Sequence, residues 1–300
     1  MAKAVYVGVD SKARKMKKAY IGIGGTARKV KKMYIGVGGK ARLCYSAEAD
    51  KFGMAASLSK ARSLLAGTTV GGYALFGGGG YDSDARKGEA IMDAYNASLT
   101  RTTATPLPSN AYACAGGTVG GYAVFSGGSS MNSDSTLVET IGALEIVRAY
   151  DSSLTSSQAA PLSCPRAVHS AATIGNHLLF AGGYNSTTGK YLSTVESYDA
   201  SLTRSTAVEL SSAKNGLASA TVGEYAMFAG GYKGNSDAAY VATVDAYNTA
   251  LTKTTMPDLS VGRHGLASAV IGDYALFAGG ISKISSTADK YQDVVDVYSA

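Results

Sequence analysis

The 300-residue chain has no tryptophan, only five prolines, and just three cysteines and three histidines. Each shortage excludes something. Cys44, Cys114 and Cys164 are scattered, with neither a metal-ligand spacing nor the even, clustered count of a disulfide framework. Cys114 lies in a run of small residues and reads as a buried free thiol, because a lone cysteine packs as a small hydrophobe. His169, His177 and His264 fall at different points of a repeat, so they do not converge on one metal and structural roles are expected for them. Asp82 and Asp84 in one polar loop fall short of a calcium site. No cofactor or metal is therefore expected. No apolar run reaches bilayer length and no hydrophobic signal core opens the chain, which predicts no membrane span and no export by that route. Acidic residues are nearly missing from one end: residues 1–45 hold twelve Lys/Arg against Asp10 alone, a charge of +11, while the remainder has 16 basic and 21 acidic residues, a charge of −5, summing to +6.

What is abundant is glycine, 37 residues, and it is ordered. One phrase returns five times: Tyr73-Ala-Leu-Phe-Gly-Gly-Gly, Tyr122-Ala-Val-Phe-Ser-Gly-Gly, His177-Leu-Leu-Phe-Ala-Gly-Gly, Tyr225-Ala-Met-Phe-Ala-Gly-Gly and Tyr274-Ala-Leu-Phe-Ala-Gly-Gly. The phenylalanines Phe76, Phe125, Phe180, Phe228 and Phe277 lie 49, 55, 48 and 49 residues apart. A period near fifty with only β-type signals inside it means repeated small sheets. Before each phrase comes a run of small residues ending in Val-Gly or Ile-Gly, which reads as a first strand and a tight hairpin. The phrase itself is apolar on successive residues, as expected of a strand buried on both faces. After a variable polar loop comes a third strand ending at Tyr95, Tyr150, Tyr198, Tyr247 or Tyr298. Asn or Asp follows the first four of these, as a turn residue. Leu99, Leu154, Leu202 and Leu251, each before Thr, are read as opening a fourth strand. Asp93, Glu196 and Asp245, on third strands, read as solvent-facing. Four antiparallel strands repeated radially make a propeller blade.

The fifth unit stops at Tyr298-Ser-Ala without a fourth strand. Leu58-Ser-Lys-Ala-Arg62 matches Leu259-Ser-Val-Gly-Arg263, so Lys51–Ala56 is expected to supply the missing strand and close a ring of five, removing two sheet edges. The Gly-Gly after a buried strand, then a loop, then Tyr-Asp or Tyr-Asn, resembles the Kelch repeat over roughly residues 50–300. Kelch blades usually carry Trp after that Tyr; here the four leucines are expected to take over its packing. Propellers host enzymes, scaffolds and lectins alike, so the resemblance implies a fold and not an activity.

Residues 1–46 repeat with a period of fourteen: Tyr6-Val-Gly-Val-Asp-Ser-Lys-Ala-Arg14, Tyr20-Ile-Gly-Ile-Gly-Gly-Thr-Ala-Arg28 and Tyr34-Ile-Gly-Val-Gly-Gly-Lys-Ala-Arg42. Strands joined by four-residue turns, Asp10–Ala13, Gly24–Ala27 and Gly38–Ala41, would form an antiparallel meander with Arg28 opposite Ile23, placing basic half-strands beside apolar ones so that like charges avoid each other. So small a sheet has little core of its own and is expected to pack on copies of itself, on another protein or on the propeller. A segment this basic suits an acidic partner, although no nucleic-acid-binding module is present, so nucleic acid is not the expected one. These units resemble short repeats in tail and other virion proteins of bacteriophages from Gram-positive gut bacteria. That resemblance implies an attachment or oligomerisation segment, with Tyr6, Tyr20, Tyr34, Arg14, Arg28 and Arg42 as the anchoring residues, on a virion or phage-like particle assembled in the bacterial cytoplasm.

The sequence therefore predicts an all-β chain: a basic β-meander over 1–46 and, over 47–300, a five-bladed Kelch-like β-propeller closed by an N-terminal strand. Loops between second and third strands, and those joining blades, emerge on one propeller face. On that face Tyr81, Asp82, Tyr112, Arg166, Tyr184, Asn185, Lys214, Asn215, Tyr232, Arg263 and His264 form the expected ligand set, with rings for sugar faces and polar groups for hydroxyls. No nucleophile–base or paired-carboxylate constellation appears, so the expected function is non-enzymatic: a structural and recognition protein of a phage tail or phage-like particle, binding other virion proteins, copies of itself, and a cell-surface glycan or protein. A carbohydrate-active propeller enzyme and an intracellular Kelch-type interaction scaffold are the alternatives.

Overall fold

The structure, a computed structural model, describes residues 6–9, 12–15, 20–23, 26–29, 32–37, 40–46, 55–80, 88–130, 142–234, 239–285 and 288–299. Their regular structure is entirely antiparallel strand. The chain divides into two compact units, Met1–Met54 and Ala55–Ala300.

The first unit holds three hairpins: Tyr6–Val9 with Lys12–Lys15, Tyr20–Ile23 with Thr26–Lys29, and Lys32–Val37 with Lys40–Ser46. Among the described residues each is a two-stranded sheet of its own, so the expected continuous meander is not formed. The register also differs. Arg28 faces Ile21, not Ile23, and Tyr20 faces Lys29. Ile23 pairs with Thr26, leaving two residues between the paired positions, the shortest hairpin connection and one that glycine favours. The charge logic survives inside each hairpin instead of between hairpins: Arg14 lies opposite Val7 and Arg42 opposite Ile35, so cations sit across from apolar residues.

The second unit carries five radially packed sheets. Blade 1 is Ala66–Val70, Tyr73–Gly77, Met92–Asn96 and Arg101–Thr103; blade 2 is Ala115–Val119, Tyr122–Ser126, Val147–Tyr150 and Ser156–Gln158. Blade 3 is Ser170–Ile174, His177–Ala181, Val195–Tyr198 and Arg204–Ala207; blade 4 is Ala218–Val222, Tyr225–Ala229, Val244–Tyr247 and Lys253–Met256. Blade 5 has three strands, Ala267–Ile271, Tyr274–Ala278 and Val295–Ser299. First strands pack side by side from blade 1 to blade 5. Their small side chains permit that approach, and their hydroxyls fasten it: Thr173 Oγ1 donates to the Thr118 carbonyl at 2.6 Å and Thr221 Oγ1 to that of Thr173 at 2.8 Å. Between blades lie Phe125, Phe180 and Phe228, fully buried and edge-on to Tyr150, Tyr198 and Tyr247 at 5.7–5.9 Å, an arrangement favoured by the ring quadrupoles.

The Gly-Gly pairs are fixed by backbone crowding. A Cβ on Gly78 would stand 2.6 Å from the Ala111 carbonyl oxygen, and one on Gly182 2.6 Å from that of Lys214, each on the connector to the next blade. The second glycine donates its N–H to that same carbonyl: Gly79 to Ala111, Gly128 to Arg166, Gly183 to Lys214 and Gly231 to Arg263, at 2.8–2.9 Å. Only a residue without Cβ allows this approach at positive φ.

The four leucines do not open strands. Leu99, Leu154, Leu202 and Leu251 occupy the left-handed region, φ 59–65°, inside a turn two residues ahead of the fourth strand. The Asn or Asp after each tyrosine imposes this. The side-chain oxygen of Asp199, for example, accepts the N–H groups of Ser201 and Thr203, each at 2.9 Å. Leu154, Leu202 and Leu251 are partly buried against the blade clusters, so the packing role survives.

Among the described residues the first strands pack in order from blade 1 to blade 5, and the expected closure of the ring is not seen. Lys51–Met54 lie outside them, and Ala55–Ala56 form no strand; the Ala56 carbonyl instead accepts the Tyr95 hydroxyl at 2.8 Å. Val70, Val119, Ile174 and Val222 each end a first strand and are 3% exposed beneath the next blade, whereas Ile271 at the same place is 69% exposed. A chain of hydrogen bonds near the axis, Gly265 to Gly216 to Val168 to Ala113 to Leu64, runs N–H to C=O at 2.9–3.0 Å. Among the described residues it is not joined end to end, for no bond links Leu64 N–H to Gly265 C=O. Matched isoleucines report this. Ile174→Ala should cost about 2–5 kcal/mol by chemical denaturation, as buried truncations do, and Ile271→Ala less than about 0.5 kcal/mol; equal losses would show that blade 5 is covered.

Candidate functional site

In four of the five blades the connector into the blade carries a basic residue, and the third strand carries an acid opposite the repeated phenylalanine. The register makes these places equivalent: Phe76 faces Asp93, Phe180 faces Glu196, Phe228 faces Asp245 and Phe277 faces Asp296. Arg62 meets Asp93 at 2.9 Å, Arg166 meets Glu196 at 2.8 Å, Lys214 meets Asp245 at 3.5 Å and Arg263 meets Asp296 at 2.8 Å. All four basic side chains and the first three acids are fully buried. The three arginines also donate to carbonyls where the second strand ends, Arg62 to Gly78 at 2.7 Å, Arg166 to Gly182 at 3.1 Å and Arg263 to Phe277 at 3.1 Å, whereas Lys214 donates to the Thr243 carbonyl ahead of the third strand at 3.3 Å. The carboxylates in turn take the connector N–H groups of Ser59, Ser163, Ser211 and Ser260. Burial lowers the Lys214 pKa while Asp245 opposes it. Burial raises Asp296, yet Arg263 and Ser260 outweigh that and leave it below the usual carboxylate range.

Two expectations are therefore corrected. Asp93, Glu196 and Asp245 face the interior, not solvent. Arg166, Lys214 and Arg263 are locked into those pairs and are withdrawn from any ligand. Asn185 is likewise buried, its side-chain oxygen accepting the N–H groups of Thr187 and Thr188. Tyr112 is half-buried, and its backbone pairs with Ser129. Tyr81 and Asp82 lie outside the described residues.

The remaining expected residues do converge. Within the loops of blades 3 and 4, Tyr184 pairs across a short hairpin with Tyr191, their rings 5.0 Å apart, and Tyr232 bridges to Tyr240 at 5.4 Å. Tyr191 reaches Tyr232 at 5.7 Å, joining the two loops. His264, from the connector into blade 5, lies 5.6 Å from Tyr232 and 5.3 Å from Tyr240. The Tyr240 hydroxyl donates to Asp289 of the blade 5 loop at 2.8 Å. The result is a shelf of four tyrosines and a histidine spanning three blades. Asn215 takes part through its backbone, which bridges to Tyr232. Tyr191, Tyr240 and Asp289 escaped the sequence reading because they lie in the variable stretch of each loop, where no repeat marks them. The one available signal was the tyrosine recurring in two such loops.

The rings of the shelf are uncharged and rich in donors, with the Asp289 carboxylate at one edge. Tyr191 is raised by partial burial and by its tyrosine neighbours, and Tyr240 is pushed up to about 12 by burial and then by Asp289. Burial lowers the pKa of His264 against the pull of Asp289. At neutral pH it offers broad ring faces edged with protonated hydroxyls. Among the described residues no three His, Cys, Asp or Glu side chains are grouped to hold a metal ion.

A Kelch motif model matches residues 165–201, the connector and most of blade 3. The chain is also similar to the solved structure of YjhT, at 15% identity with a TM-score of 0.61, over 92% of this chain and 95% of that one. No curated protein matches the chain. Motif and neighbour together support a Kelch-like propeller.

The other histidines are structural. His177 Nδ1 lies 3.1 Å from Ser197 Oγ. His169 is buried edge-on to Phe180, with Nε2 2.8 Å from Ser126 Oγ. Burial, then the charge of Arg166, lowers its pKa to about 3. An unfolded histidine titrates near 6.5, so between those values the unfolded chain holds the proton and the folded one does not. Stability contributed by neutral His169 is complete above about pH 6.5 and is lost as pH falls below it. In denaturant titrations from pH 6.5 to 4, His169→Gln should show a slope shallower than the parent's by about 1.4 kcal/mol per pH unit. Identical slopes would place the proton elsewhere.

Proposed function

We propose that this chain is a non-enzymatic recognition protein in which the tyrosine shelf of blades 3–5 takes a glycan and the basic N-terminal hairpins hold the protein on a phage tail or similar particle. The observation that carries the binding half is the shelf itself: Tyr184, Tyr191, Tyr232 and Tyr240 with His264, ring beside ring, joined across three blades. Rigid aromatic faces give contact area at little entropic cost, and their hydroxyls can meet sugar hydroxyls. Its uncharged rings, with the Asp289 carboxylate at one edge, argue against an anionic ligand as the main guest. The Tyr240 hydroxyl does meet the Asp289 carboxylate, but burial and that carboxylate push its pKa up to about 12, the opposite of an activated phenolate, which favours binding over turnover.

The anchoring half rests on the +11 charge of residues 1–45 and on the three fourteen-residue units. The register sets Arg14, Arg28 and Arg42 opposite Val7, Ile21 and Ile35, and so basic a segment suits an acidic partner, such as another particle protein.

The test is a glycan array probed with the full chain, followed by titration of the best hit. Tyr191→Ala and Tyr240→Ala should each weaken binding about tenfold or more, as loss of an aromatic anchor does. Exposed Tyr291→Ala serves as the control and should leave affinity unchanged. Array silence, or a hit insensitive to both shelf substitutions, would remove the glycan reading.

A further inference from the structure

Blade 2 breaks the ion-pair pattern at every position. The connector hydrogen bonds align Ala111 with Arg166, Lys214 and Arg263: their N–H groups reach the carbonyls of Glu89, Leu144, Leu192 and Val241 respectively. Ala111 therefore stands where the other blades place a cation. Pro108 replaces the serine whose N–H caps the carboxylate. On the third strand Phe125 faces Arg148, where every other repeat phenylalanine faces an acid. On the fourth strand Ser156 faces Tyr150, where Arg101, Arg204 and Lys253 face the matching tyrosines. Four coordinated changes leave one cation, Arg148, with no ion-pair partner among the described residues.

The space is open as well. A cavity of about 140 Å³ lies there, lined by Pro108, Ile146, Val147, Arg148 and Gln158. Close in sequence to the lining, though not part of it, two hydroxyls are buried without a partner among the described residues. One is Ser109 Oγ, beside Pro108. The other is Tyr150 OH, two residues from Arg148 and so on the same face of the strand. Its counterparts Tyr95, Tyr198, Tyr247 and Tyr298 all donate to a connector carbonyl, at 2.8–2.9 Å. A buried donor left unmade is costly, and an unpaired guanidinium at a cavity wall invites a planar anion.

We infer that the boundary of blades 1 and 2 is a small-molecule carboxylate site, in which the guest acid completes with Arg148 the ion pair that the other four blades build from their own residues, with polarity reversed. The volume suits a carboxylate and the carbon that bears it, the end of a larger molecule, and not a whole sugar. Arg148 takes the carboxylate in bidentate fashion, and the Gln158 amide on the facing strand supplies a neutral donor. The site is independent of the tyrosine shelf.

The test uses the full chain with arginine side-chain nitrogens labelled, titrated with sodium acetate against sodium chloride at constant ionic strength and followed by the Nε–Hε resonance of Arg148. That resonance should shift saturably with acetate and not with chloride. Arg148→Gln should weaken acetate binding at least tenfold, read from shifts of the neighbouring backbone amides. The double variant Ala111→Arg, Arg148→Asp restores the pattern of the other blades; it should stay folded and lose the acetate response. Tyr191→Ala should leave the response intact. A shift equal in chloride, a linear shift without saturation, or acetate binding undiminished in Arg148→Gln would each overturn the assignment.

Discussion

A buried cation meeting a carboxylate at the entrance of four of the five blades is the constraint from which the rest of the propeller follows. Desolvating both charges costs several kcal/mol apiece, and although Nε of Arg166 and of Arg263 stays buried without a partner among the described residues, hydrogen bonds to both partners offset much of it. Arg166 shows how: Glu196 takes one nitrogen, and the carbonyls of Gly182 and Thr194 take another. Those carbonyls belong to the end of the second strand and the start of the third. One side chain thus ties the connector to both ends of the loop between those strands, and Ser163 N–H ties the carboxylate back to the connector. The Gly-Gly pair follows from the same geometry. The connector comes so close that its carbonyl hydrogen-bonds the second glycine and leaves no room for a Cβ on the first.

This frame also explains where loops are free to vary. With the loop ends clamped, the middle can differ in length and composition without disturbing the blade. The tyrosine shelf is built in that middle, from two hairpins and a connector residue held in register by the bridges Ala167–Tyr184, Asn215–Tyr232 and His264–Ile281. Rigid scaffold and variable tips are separated, the division of labour expected of a binding protein. At blade 5 the side facing away from blade 4 is exposed among the described residues. Blade 5 keeps its own pair, Arg263 with Asp296, but its next-facing residues Ile271, Val295 and Val297 are 50–69% exposed.

Much of this was legible in the sequence, because repetition exposes what repeats. The hairpin Gly, the doubly buried second strand and the tyrosine that ends the third strand recur at fixed distances, and each has a local physical cause. The failures have causes too. Asp93, Glu196 and Asp245 looked solvent-facing because a charged residue on a strand usually is, and their partners sit some thirty residues away on a connector that no local pattern links to them. For the same reason Arg166, Lys214 and Arg263 looked like ligands. The leucines were assigned to strands because nothing in a Leu-Thr pair announces a left-handed turn; the preceding Asn or Asp imposes it through its side chain. The N-terminal register slipped by two residues because both registers set cations opposite apolar residues, and only the length of the glycine turn separates them.

The clamp account is tested most directly by a double-mutant cycle on Arg166→Met and Glu196→Gln, measured by denaturant unfolding of the full chain. Either single change leaves a buried, uncompensated group and should destabilise by about 3–5 kcal/mol, while the double change should cost far less than the sum. Coupling of about 2 kcal/mol or more is the predicted result. Single losses below about 1 kcal/mol that simply add would contradict it, and would mean that the blades are held by apolar packing alone.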